Sequence, residues 1–478
     1  MILVVAALAS TLSGGTTTAP TAGSDSPHWA ADSVHDSFGR SHERQLLGGK
    51  RTPTFARQTR LSCAVCHLGG FPQLSRFGRL FKLNGYTLSQ LPAVPEQSDS
   101  ANRPQVALSS IPGLSTMAIV SATSTAKALP GTPATRAEFP QQISLLFGGE
   151  IAPHLGALAE LSYSDVTSKL SIDNTDVRFA NHTRWLDRDL LYGVTLHNNP
   201  TVQDVWNTAP AWSYPFTSAA LAPRPAASTL LDGALAQSVL GLGAYGWFDN
   251  MLYAEFSAYT SAPQGPRRLI DSTTRSIRGV APYWRIALQN RTGPVYVMVG
   301  TYGMVTEIDR GAGAVVSGSA LDRYTDIGGD AQVERAVGRS FLVARTSYTH
   351  ESQDLSRLFT AVPQGASNPS NTLDTWKLNM TYGPVSNWSF GAGYFATTGS
   401  TDQLLYPAAS VTGSRTGDPG SNGEVAEVTL NPWLNARVGL QYVVYQRFNG
   451  GATSYDLFRG GRNATDNNTL FLYFWFAY

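Results

Sequence analysis

The chain closes with Leu470-Phe-Leu-Tyr-Phe-Trp-Phe-Ala-Tyr478, a run without a charge, a glycine or a proline. Side chains of an extended strand alternate between two faces, so Leu470, Leu472, Phe474, Phe476 and Tyr478 share one unbroken apolar face. A strand of this length crosses a bilayer when tilted, whereas a helix of the same length does not. Such a face is either the inside of a sandwich or a surface for lipid.

Upstream, the same pattern recurs. Leu240-Gly-Leu-Gly-Ala-Tyr-Gly-Trp-Phe248 and Met251-Leu-Tyr-Ala-Glu-Phe-Ser-Ala-Tyr259 are joined by Asp249-Asn250, a pair suited to a tight hairpin turn. Further strand-length runs are Tyr283–Leu288, Val295–Val299, Phe341–Arg345, Trp388–Tyr394 and Val438–Tyr445. From Leu114 to the end there are about sixteen such segments, separated by Gly, Asn, Asp, Ser and Pro. Composition agrees: 478 residues with 45 Gly, 20 Tyr, 20 Phe and 10 Trp, only 14% charged, and a net charge of +1. That balance gives no electrostatic basis for binding nucleic acid. No apolar run approaches the roughly 20 residues of a membrane helix. The expected fold is all-β: a transmembrane antiparallel barrel over residues 113–478, in contact with outer-membrane lipid. The polar stretches near Asn198–Leu231, Gly311–Asp322, Leu355–Asn371 and Pro407–Asn422 are the expected surface loops, and Asp322, Asp326, Asp354 and Asp418 read as solvated charges upon them.

Near the other end, Cys63-Ala-Val-Cys66-His67 holds the only two cysteines. Cys-x-x-Cys-His is the attachment signature of c-type haem: two thiols add to the vinyl groups and the adjacent imidazole becomes the proximal iron ligand. A thioredoxin-like redox pair would need a βαβ setting, and half a zinc site would need a second Cys or His pair; neither follows here. One covalent haem c is therefore the expected cofactor.

The flanks carry a resemblance. Phe55-Ala-Arg-Gln-Thr59, the haem motif, Phe71-Pro72, Phe77-Gly-Arg-x-Phe-Lys82 and Gly85-Tyr86 together resemble the amino-terminal cytochrome of the fused outer-membrane cytochrome-porins. That family includes the monohaem Fe(II) oxidases of iron-oxidising bacteria. Tyr442–Asn449 and Gly461–Leu470 are similar to its carboxy-terminal end, and the terminal aromatic resembles the signal outer-membrane proteins present for insertion. The likeness is dense at both ends and weak between them. It implies electron transfer across the bacterial outer membrane, from extracellular Fe(II) or another redox partner to a periplasmic c-type cytochrome.

The domain plan follows. Residues 1–22 read as a signal peptide, although no basic residue follows the start; 23–50 are a polar leader, 51–91 the cytochrome segment and 92–112 a Pro-containing linker. So short a segment needs its macrocycle as a core, and a barrel of about sixteen strands has a lumen wide enough to receive it as a plug. Arg57, Arg79 and Lys82 are the expected partners of the haem propionates. For the distal iron ligand, strand phase turns Met117 inward with Ser115, Ser121 and Thr123, and Ile119 shares that side. The alternatives are His28, His35, His42 or His154, or an open position.

Overall fold

In the computed structural model the described residues are 53–59, 61–89, 91, 113–166, 168–210, 213–262, 276–309, 321–338, 340–360, 365–384, 387–433 and 435–478. The expected signal peptide, the leader with His28, His35 and His42, and the linker lie outside them.

The strands are β1 (Gly113–Thr125), β2 (Thr135–Ala152), β3 (Leu155–Ser164), β4 (Lys169–Trp185), β5 (Arg188–His197), β6 (Val239–Phe248), β7 (Leu252–Ser261), β8 (Ser276–Ile277), β9 (Ala281–Thr292), β10 (Val295–Asp309), β11 (Asp322–Val337), β12 (Ser340–Asp354), β13 (Ser370–Gly383), β14 (Trp388–Gly399), β15 (Ser421–Trp433), β16 (Ala436–Arg447) and β17 (Thr469–Ala477). The two-residue β8 pairs with the far end of β10 and continues the line of β9, so sixteen strands cross. Each pairs antiparallel with the next, and β17 pairs with β1, Met117 opposite Ala477 and Thr125 opposite Thr469, which closes the barrel. Closure leaves no sheet edge with unpaired backbone groups, the condition for a sheet to stand in lipid.

Local chemistry sets the hairpins. Leu186 and Asp187, at φ of 51° and 58°, make a two-residue turn between paired Trp185 and Arg188, and Asp249 and Asn250, at 51° and 56°, lead a three-residue link between paired Phe248 and Leu252. These tight turns share one end of the barrel with Gly113 and Tyr478. At the other end the connections are mostly longer, including 198–238, 400–420 and 448–468. The outside is apolar: Leu242, Phe256 and Leu288 are each more than half exposed. Of the last strand, Leu470, Leu472 and Phe474 point outward as their alternation required, while Phe471 and Tyr473 are buried on the inner face. Trp185, Tyr382, Trp388 and Trp433 are exposed beside the tight turns, where an aromatic girdle meets the membrane interface. The barrel is built to span a membrane.

Two expectations about loops are corrected. Residues 198–231 are not a surface loop: Val202, Val205 and Trp206 are almost wholly buried, and the stretch folds across the lumen. Its polar groups bond to inward residues around the wall. Gln289 accepts from Trp206 Nε1 at 3.0 Å, Gln441 and Gln141 donate to the Thr217 and Ser218 carbonyls, and Glu351 accepts from Leu230 N. Asp322 and Asp326, expected as solvated charges, lie inside and accept backbone N–H groups of Leu358 and Leu231. Backbone N–H donors, not bulk water, meet these two carboxylates.

The lipid face gives a direct prediction. Leu472→Arg, in the middle of β17 and facing outward, should cost about 2–4 kcal/mol if it lies near the bilayer midplane. Denaturant unfolding in lipid vesicles measures it.

Candidate cofactor site

Residues 53–91 form a small helical segment inside the tight-turn end of the barrel, with α1 (Thr54–Thr59), α2 (Cys63–Cys66) and α3 (Arg76–Leu83). Ser75 starts α3: its hydroxyl accepts from Gly78 N at 3.1 Å and donates to Val65 O at 2.6 Å. Ser75 N also donates to Cys66 O at 2.8 Å, which fastens α3 to the cysteine turn. Gly78 makes that approach possible, because a Cβ there would overlap the Cys66 carbonyl. After His67 the chain turns through Gly69 and Gly70, at φ of +67° and +106°, values that favour glycine.

The wall grips this segment around its circumference. Thr54 N donates to Ser115 Oγ and Thr54 Oγ1 to Gly148 O, both at 2.7 Å. Arg76 Nη1 donates to Tyr296 Oη at 2.7 Å, Tyr245 Oη to Leu83 O at 2.6 Å, and Tyr86 Oη to Asp176 at 2.7 Å. Arg437 Nη2 and Asn431 Nδ2 both donate to Gly69 O, at 2.8 and 3.1 Å. From within the lumen, Asn207 Oδ1 accepts from Leu74 N at 3.2 Å. Phe55 stacks on Tyr86 with centroids 5.4 Å apart and meets Phe81 edge-on, and Phe71 stacks on Trp475 at 6.0 Å.

Cys63 and Cys66 lie on one helical turn, and no disulfide joins them. His67 follows directly, with its ring edge-on to Phe71 and its Nδ1 buried without a partner among the described residues. Burial carries its pKa down to about 4, so the imidazole is neutral, the form that binds iron. Two thiols and a neutral imidazole in consecutive order fit a covalent haem. Met117 faces inward as strand phase required, and lies between two contacts with the inner segment. On one side is Ser115, bonded to Thr54; on the other is Ile119, opposite the Trp475 that stacks on Phe71. His154 is in the turn after β2, where its carbonyl lies against Gly85 of the inner segment and its Nδ1 is buried without a partner among the described residues.

The three cations expected for the propionates are engaged with protein. Arg57 Nη2 donates to Leu114 O at 2.5 Å. Arg79 forms a buried ion pair with Glu334 at 2.6 Å. Lys82 donates to the carbonyls of Val202 and Asp204, and burial, aided by the nearby Arg178 cation, pulls its pKa down to about 8. A charge enclosed between segment and wall requires a fixed partner, and these found theirs in the barrel. Sequence reading missed Arg437 and Glu427, which with Gln73 and Thr381 line a small, partly open cavity beside Leu68 and Gly69. The signal for Arg437 was present: it precedes Val438 in β16, two places before Gly439 on the inner phase.

No protein-family model and no curated protein matches the sequence. Among solved structures the chain is similar to the outer membrane channel DcaP of Acinetobacter baumannii, at 14% identity and a TM-score of 0.43, over 77% of this chain and 96% of that one. It is also similar to the anion-selective porin from Comamonas acidovorans, at 12% identity and TM-score 0.41, over 77% and 99%. A third is OmpT of Vibrio cholerae, at 11% and 0.40, over 77% and 97%.

The ion pair yields the second prediction. Glu334→Ala leaves Arg79 buried without its carboxylate, at a cost of about 3–5 kcal/mol, while the double change Arg79→Leu/Glu334→Leu should recover most of it. Limited proteolysis of the inner segment in the folded barrel reads the difference.

Proposed function

We propose that the chain carries electrons across the bacterial outer membrane through one haem c, covalently held by Cys63 and Cys66 with His67 on the iron. The observation that supports this most directly is the Cys-x-x-Cys-His turn fastened inside a closed, membrane-type barrel by contacts on many strands. A haem held there supplies reversible one-electron chemistry. The protein's residues do the rest: Ser75, Gly78 and the Gly69-Gly70 turn fix the motif, the wall excludes bulk water, and Met117 is the proposed distal ligand. A thioether in that position raises the potential, which suits a site that accepts electrons from an external donor.

By its resemblance to the cytochrome-porins, the donor is extracellular Fe(II), which loses one electron to become Fe(III), and a periplasmic c-type cytochrome takes that electron. Such outer-sphere transfer requires no general acid, base or nucleophile. The other reading is a diffusion porin whose haem-bearing plug is a gate or stabiliser. The lumen content weighs against it, since both the inner segment and residues 198–238 cross the passage.

The test is a haem assay of the purified chain. Covalent haem should be present in the unaltered protein and absent from Cys63→Ser/Cys66→Ser, with the barrel still folded. Met117→Ala should turn a six-coordinate low-spin spectrum into a five-coordinate or water-bound one; an unchanged spectrum removes Met117 as ligand. Large steady conductance in planar bilayers would favour the porin reading.

A further inference from the structure

The inner segment is one-sided in charge. Residues 51–91 contain six Lys or Arg and no Asp or Glu, in a chain whose overall charge is only +1. Two of the six serve the interior: Arg79 pairs with Glu334, and Lys82 donates to the Val202 and Asp204 carbonyls. Arg76 is placed differently. It follows Ser75, whose N–H is bonded to the Cys66 carbonyl, and it stays partly exposed beside the cysteine turn.

The barrel adds a second cation at the same place. Tyr296 of β10 accepts the Arg76 Nη1 hydrogen bond, with the Arg76 guanidinium carbon 5.2 Å from its ring centroid and that of Arg291 5.6 Å from it. Arg291, exposed at the end of β9, is held there by its Nε bond to the Gly293 carbonyl at 2.8 Å. Two guanidiniums on one ring repel each other, and the acid opposite Tyr296, Glu334, is already paired with Arg79. Among the described residues, the other acids at the tight turns stand on other strands. Glu150 is on β2, Asp187 and Asp189 are at the β4–β5 turn, and Asp249 follows β6; Asp189 lies 3.6 Å from His182 and Asp249 3.3 Å from Arg188.

Short turns mark the periplasmic end of an outer-membrane barrel, so this corner faces the periplasm. A basic corner steers an acidic partner toward itself and fixes its orientation. We infer that the corner around Arg76 and Arg291 docks the acidic face of a soluble periplasmic redox protein. The inference rests on the electron-transfer reading above and gives its acceptor a chemical description. A partner seated here lies beside the turn that bears Cys63 and Cys66.

The test uses the full, haem-loaded chain in detergent, immobilised for surface plasmon resonance. The probes are two soluble oxidised c-type cytochromes of similar size, one acidic and one basic. The acidic probe should bind and the basic one should not, and raising salt from about 20 mM to about 200 mM should weaken the acidic probe by about tenfold. Arg291→Glu, an exposed change, should weaken the same binding by about tenfold, and Arg291→Lys should keep most of it. Arg76→Gln should act in the same direction, with its fold checked by heat-modifiable gel mobility, while Arg188→Glu should leave binding unaltered. Equal binding of both probes, or acidic binding that Arg291→Glu leaves unaltered, would overturn the inference. So would retention on phosphatidylglycerol vesicles that Arg291→Glu abolishes while cytochrome binding persists, since the corner would then serve lipid headgroups. Lack of haem in the unaltered chain would instead overturn the electron-transfer reading, which the binding curves do not measure.

Discussion

Ion pairs between the inner wall and the segments inside it organise what fills this barrel. A sheet of sixteen crossing strands encloses a lumen too wide for its own side chains to occupy. Glu334 is met by Arg79 of the inner segment, and Asp176 by Arg178 and the Tyr86 hydroxyl. Arg285 lies between Asp330 at 2.6 Å and Asp204 at 3.4 Å, the latter supplied by the stretch that folds across the lumen. Asp204 also caps the backbone of that stretch, accepting from Trp206, Thr208 and Ala209. The pairs join three layers: wall, inner segment and crossing stretch. Removing one partner leaves a buried charge alone, so each layer holds the next in place.

This interlock bears on what the barrel can pass. A diffusion channel needs a continuous aqueous path, whereas Lys82 and Leu74 bond directly to the crossing stretch. The proposed electron transfer needs no such path, only a redox centre fixed in an insulating wall. The segment bearing Cys63, Cys66 and His67 is fixed by bonds to β1, β2, β4, β6, β10, β11, β15 and β16. A group attached there would be held without a core of its own, which so short a segment could not provide.

What the sequence revealed and what it hid divide by range. The alternation in Leu470–Tyr478, the Asp249-Asn250 turn and the inward phase of Met117 depend on neighbours a few residues away, and all three are legible from local pattern. Cys63, Cys66 and His67 stand out locally because Cys-x-x-Cys-His is the spacing of a c-type haem attachment signature, on which the proposed function rests. The crossing stretch was hidden because Asn198–Leu231 is polar enough to pass for a surface loop; its polar groups serve partners more than 100 residues distant, such as Leu74 N for Asn207 Oδ1 and Glu351 for Leu230 N, at separations of 133 and 121. Arg79 and Lys82 bond to remote parts of the chain in the same way. In Phe77-Gly-Arg-x-Phe-Lys82 the glycine admits the Cys66 carbonyl, the arginine pairs with Glu334, the phenylalanine packs on Phe55, and the lysine reaches Val202. Each is a contact with a remote part of the chain, which no periodicity announces.

The most direct test of the account is transfer across a sealed membrane. The haem-loaded chain is reconstituted into vesicles that enclose an oxidised soluble c-type cytochrome, and Fe(II) is added outside without oxygen. The account predicts that the enclosed cytochrome becomes reduced, and that vesicles carrying Cys63→Ser/Cys66→Ser leave it oxidised. An enclosed cytochrome that stays oxidised, in sealed vesicles whose barrel carries its haem, would contradict inward transfer from Fe(II).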